Sequence, residues 1–178
     1  MRLTVNILKD MRTQITFIFI SALLLFTSCS YEPGVSEAFT KYRFKDGVTT
    51  ITVPGWVISL ASGFADLEES EREILDCIDK VRVIAIDDHD LNARVDLHRE
   101  FYNKINKKGN YEELLVVREE NESVTVFGKM DENVIKEMVL LVGGENNALV
   151  YVKGEIKPEL LNDKIDLTDP DKFLSFNF

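Results

Sequence analysis

The sequence predicts an α+β domain, a mostly antiparallel sheet of four to five strands with helices packed on one face. Two observations predict it. Four strand-like runs, Glu112 to Glu119, Glu122 to Lys129, Val134 to Val142 and Ala148 to Glu155, follow one another with separators too short for helical crossovers, so they pair as antiparallel hairpins. Helical spacings are gathered ahead of them, between Trp56 and Ile105. The resulting order of strand, two helices, strand, helix, four strands and helix is that of an α+β domain rather than of regularly alternating βα units.

The chain opens with an export signal. Arg12 precedes the apolar run Ile15 to Phe26, and the small residues Thr27 and Ser28 stand before Cys29. A basic start, an apolar core and small residues at the cut are the three parts of a secretory signal. The run is shorter than the roughly 18 residues that a helix needs to cross a hydrocarbon core about 30 Å thick, so cleavage is expected rather than a retained span. Residues 1–28 are therefore expected to be a lipoprotein signal peptide. A small pair followed by cysteine resembles the lipobox of bacterial lipoproteins, whose cysteine becomes the acylated first residue, although Phe26 stands where Leu is usual. One acyl chain anchors only marginally and two or three anchor firmly. Cys29 is thus the expected lipidation site, the membrane a partner through that lipid, and the bacterial cell envelope the expected location, with the outer membrane as the membrane concerned.

Once Arg2, Lys9, Arg12 and Asp10 are removed, 18 of 21 basic residues face 30 of 31 acidic ones, a formal charge of −12 on the remaining 150 residues. That length suits one domain with a real core. Nucleic acid is excluded as a partner, because binding a polyanion rests on basic groups that neutralise phosphates. With Cys29 acylated, Cys77 has no partner for an intrachain disulfide; among Ile74, Leu75 and Ile78 it reads as a small buried residue on a helix.

Residues 29–46, with Pro33, Gly34 and no clear period, read as an irregular tether that lifts the domain off the membrane. The domain is expected over 47–165. Val48 to Val53 is rich in β-branched residues and stopped by Pro54-Gly55, a short strand. Trp56, Val57, Leu60, Ala61 and Phe64 then recur at helical spacing. Ser70-Glu71-Arg72-Glu73 has the spacing of a capping box for a second helix reaching about Asp79. Val81 to Ile86, interrupted only by Arg82, reads as a strand buried on both faces that joins the sheet in parallel with one neighbour after a helical crossover. Leu91, Val95, His98, Tyr102 and Ile105 mark one long helix, stopped at Lys107-Lys108-Gly109. After the four strands, Pro158 opens a short helix to about Ile165, and residues 166–178 read as a loosely held tail.

The best candidate for chemistry is the acidic group Asp87, Asp88 and Asp90, with Asn92 and Asp96 following, since calcium prefers clustered oxygens. Counted from Asp88, a calcium loop needs a turning Gly where Ala93 stands and a bidentate carboxylate where Arg99 stands. Helix capping accounts for these acids instead. His89, Asp96 and His98 fall short of a metal set, and His98 lies on the apolar side of its helix. No nucleophile elbow, zinc helix or phosphate loop occurs. The expectation is therefore no catalytic residue, no metal and no cofactor.

The lipobox, the strand end Val53-Pro54-Gly55-Trp56 with its helix, the Ile78 to Ile86 passage, and the Leu149 to Lys153 strand with Gly154-Glu155-Ile156 together resemble a family of small lipoproteins of unknown function found in Bacteroidota, over roughly Gly47 to Ile165. The resemblance implies an envelope-anchored domain and transfers no catalytic residue. A non-enzymatic binding or assembly module is the leading reading; an accessory or sensor in envelope signalling, or an envelope hydrolase with an unrecognised acidic site, is the alternative. Leu114 to Val117, Met138 to Val142 and Leu149 to Val152 are apolar in both parities, so both sheet faces need cover. If helices gather on one face, the other falls to the Trp56 helix, to the tail with Phe173, Phe176 and Phe178, or to a protein partner or second copy.

Overall fold

A computed structural model describes residues 34–162; the signal peptide, Cys29 and the tail 166–178 lie outside the described residues. One sheet holds six strands, β1 (Val48–Pro54), β2 (Ile78–Ile86), β3 (Glu112–Arg118), β4 (Glu122–Asp131), β5 (Val134–Gly144) and β6 (Ala148–Ile156). Their spatial order is β1-β2-β6-β5-β4-β3, and every neighbouring pair is antiparallel. The α+β class and the run of four hairpin strands match the sequence reading. The strand number does not, because β1 and β2 both add to the meander instead of only one.

The helices are α1 (Val35–Tyr42), α2 (Gly55–Ser62), α3 (Glu69–Asp76), α4 (His89–Asn92), α5 (Leu97–Gly109) and α6 (Pro158–Asn162). The expected parallel pairing of β2 is corrected: its neighbours β1 and β6 are both antiparallel to it. The segment of α4 and α5 does carry the chain across the sheet, but to the far edge at β3 rather than to an adjacent strand. A crossover that skips the intervening places leaves them to be filled by later strands of opposite direction.

The expected tether is also corrected over its second half. Residues 35–42 form α1, whose Val35, Ala38, Phe39 and Tyr42 recur at helical spacing and are buried. Gly34 sits at φ 88° with no room for a Cβ beside Ile105, so a glycine is required where the chain enters the domain. Two further boundaries differ. The capping box of α3 is set by Glu68 and Glu71, with Glu68 N donating to Glu71 Oε2 at 3.0 Å, so the helix starts before Ser70 and is already over at Asp76. The long predicted helix is broken into α4 and α5, because Asp88 and Asp96 each cap a separate start. Its C-terminal stop is where the sequence places it, with Asn110 in the left-handed conformation at φ 55°.

The main core lies on one face of the sheet. Ile84, Phe127, Val139, Leu141, Leu149 and Tyr151 meet Leu97, Phe101 and Ile105 of α5, Leu91 of α4 and the buried side of α1. On the other face one apolar row, Ile51, Val83, Val150, Leu140, Val126 and Leu115, crosses all six strands in register. Most of that row is half-buried, and Ile51 is exposed. Trp56 itself is 70% exposed and takes no part in covering that row.

Candidate functional site

The loops at one end of the sheet form an open cleft of about 580 Å³ lined by His89, Asn92, Ala93, Asn121, Gly144, Glu145 and Asn146. Its walls are the segment after β2, the β3–β4 turn and the β5–β6 turn. Asn147 ties the first of these to the β5–β6 turn. Its carboxamide oxygen accepts from Leu97 N at 2.7 Å, and its nitrogen donates to Asn92 Oδ1 at 2.8 Å, Val95 O at 3.0 Å and Gly144 O at 3.1 Å. Asn92 Nδ2 in turn donates to Glu145 O, and Asn121 Nδ2 donates to Glu145 Oε1 at 3.0 Å. Gly144 takes φ 118°, and a Cβ there would collide with Asn121 O, so the close approach of the two turns needs glycine. The sequence reading missed this arrangement, because Glu145-Asn146-Asn147 looks like any polar turn until its partners are brought in from elsewhere. Amides, one imidazole and one carboxylate can hold a polar group by hydrogen bonds. Much of that capacity is already spent on the loops themselves.

The acidic group is spread along the same segment and works as backbone support. Asp88 Oδ1 accepts from Leu91 N at 2.7 Å and Asp96 Oδ1 from Arg99 N at 2.9 Å, the N-caps of α4 and α5. Asp87 and Asp90 are exposed, and Asp90 lies in the first turn of α4. Among the described residues no three His, Cys, Asp or Glu side chains are placed to hold a metal ion. His98 is separated from His89: its Nε2 lies 2.9 Å from Thr125 Oγ1 and its ring packs on Tyr102 at 5.2 Å between centroids. Burial, the largest influence, holds its imidazole below the ordinary value. Cys77 is half-buried at the end of α3 and packs with Ile135 and Ile156. The buried carboxylate of Glu137 is satisfied by Tyr111 Oη and by Lys129 Nζ at 3.3 Å.

At the opposite end of the sheet is a second candidate, of a different kind. On α2, Trp56, Leu60 and Phe64, the last just past the helix, stand four residues apart and are 70%, 56% and 86% exposed. Ser62, by contrast, is 4% exposed, its hydroxyl turned back to Ser59 O at 2.9 Å. Val57 and Ile58 are half-buried on the inner side, so the helix is apolar on both sides and leaves one apolar row in solvent.

A family model described as Domain of unknown function (DUF4252) matches residues 42–163. The chain belongs to this family. The match takes in all six strands, the cleft and α2, and begins at the last residue of α1. The DUF4252 match covers nearly all of the stretch Gly47 to Ile165 over which the sequence resembles a family of unknown function, and it carries the domain alone, not the lipoprotein character of that family. No curated protein matches the chain, and no solved structure does. Among the described residues no helix of the DUF4252 domain is long and apolar enough to cross a membrane.

Proposed function

We propose that the protein is a lipid-anchored component of the bacterial cell envelope, and that its domain is a non-enzymatic binding or assembly module with α2 as its contact surface. Cys29 carries the lipid in this reading, on the strength of its place after the short apolar run and Thr27-Ser28. The observation that carries the binding role is the exposed row of Trp56, Leu60 and Phe64. Large side chains of this kind dominate contact energetics, and a contiguous set left in water marks a surface that is covered in use. The hydrolase alternative is weakened by the acids themselves, since Asp88 and Asp96 are engaged as helix caps.

A photo-crosslinking residue placed at Leu60 or Phe64 in cells tests the binding role. Adducts at these positions, and none with the probe at the exposed Glu120 in the β3–β4 turn at the opposite end of the sheet, are the expected result. Equal absence of adducts at all positions overturns it.

A further inference from the structure

We infer that the surface of α2 is covered by the bilayer itself: Trp56, Leu60 and Phe64 lie in the headgroup region of the membrane that holds the lipid of Cys29, so that the domain is seated on that membrane by its α2 end. The inference rests on the lipid-anchor reading and names the partner of the surface proposed above.

The sheet has two ends, one marked by the pairs Val48 with Ile86 and Ala85 with Ala148, the other by Pro54 with Lys80 and Ile135 with Ile156. Helix α5 starts at the first end, where Asp96 and His98 abut Gly143, and runs toward the second. Gly34, where the chain enters α1, packs against Lys104 and Ile105 in the later half of α5, and so belongs to the second end. Helix α2 begins there too, because Gly55 follows Pro54 and packs against Ile78 and Asp79. The entry point of the domain and the exposed aromatic row are therefore at the same end of the sheet.

Chain length then limits the geometry. Cys29 is five residues before Gly34, which allows at most about 18 Å of fully extended chain. The tether expected from sequence would have let the domain stand away from the membrane; with α1 folded into the core, a lipid on Cys29 keeps the α2 end close to it. Insertion of α2 is then an intramolecular event at high effective concentration, so three side chains suffice where they would not hold a free protein.

The chemistry of the row suits the interface rather than water or a polar partner. From Gly55 to Ala65 there is no charged residue. Tryptophan is favoured at membrane–water boundaries, where its apolar ring is buried and its N–H stays wet. The neighbouring α3 contributes Glu69, Glu71 and Glu73, so this end favours neutral over anionic headgroups.

Trp56 is the one tryptophan of the chain, so its fluorescence reports on this site alone. The lipidated protein is reconstituted into phosphatidylcholine vesicles with and without chains brominated near the headgroup. The expected result is a shift of emission to shorter wavelength, quenching by the brominated lipid, and loss of most of that quenching in a Leu60→Ser/Phe64→Ser variant whose melting temperature is unchanged. A protein that floats with the vesicles while Trp56 emits as in water overturns the inference and leaves the anchor standing. A shift that is not quenched by bromine places Trp56 against protein, a second copy or a partner, and also overturns it. A chain that takes up no palmitate and does not float overturns the anchor reading and this inference with it.

Discussion

Asn147 shows how much one side chain can carry. It is 3% exposed and bonds the start of α5, the loop after α4 and the β5–β6 turn at once. Asn147→Ala leaves Leu97 N and several carbonyls without this partner in a buried place, and is expected to cost about 2–4 kcal/mol, read as a lower urea midpoint. Asn147→Asp should cost a similar amount, since a carboxylate cannot donate to Asn92 Oδ1, Val95 O and Gly144 O. His98 acts through pH. Because burial holds its folded value below the ordinary one, the unfolded chain takes up the proton first as pH falls. Its contribution to stability is therefore present above about pH 6.5 and lost as the pH drops from there toward the lowered value. Melting curves of the wild type should show that decline, and those of His98→Gln should lack this component. Glu100 has the other sign of partner effect. Burial opposes its ionisation, but hydrogen bonds from Lys41 at 2.7 Å and Tyr42 at 2.9 Å outweigh it and hold the carboxyl below its ordinary range.

Among the elements, α5 and β5 decide the core. Leu97, Phe101 and Ile105 repeat every four residues and are fully buried against the odd-numbered side chains Val139 and Leu141 of β5. The even-numbered Met138, Leu140 and Val142 lie half-buried on the other face. Changing one parity at a time separates the two faces. Val139→Lys should abolish cooperative unfolding, because it places an unpaired charge under α5, whereas Leu140→Lys should fold with a loss of about 1–2 kcal/mol. Unfolding of both variants to the same degree would show that the second face is as tightly closed as the first. Circular dichroism against temperature reads both outcomes, and sedimentation of Leu140→Lys reports any change in oligomeric state.

For the whole molecule, the decisive question is attachment. Labelled palmitate should enter the wild type and not Cys29→Ala; equal labelling of both would remove the lipid anchor from the proposal. Under the proposal the α2 end is toward the membrane and the polar cleft, at the opposite end of the sheet, is on the aqueous side.

What the sequence determined by itself was local. The four hairpin strands were legible from their alternating and apolar runs and their short separators, and β1, the stop of α5 at Gly109 and the cap at Asp88 from residues within a few positions of one another, whereas the second cap at Asp96 lies inside what the spacing reads as one long helix. The helical spacing of Trp56, Leu60 and Phe64 was equally plain, but spacing states only that three side chains share a side of a helix, not whether that side meets the core. Tertiary structure decided that it faces outward. It also decided that α1 belongs to the core, that β2 lies between two antiparallel neighbours, and that Asn147 joins the α4–α5 segment to the β5–β6 turn. Each of these depends on groups far apart in the chain, whose meeting follows from burying one face of a six-stranded sheet as a whole and leaves no mark in any short stretch of residues.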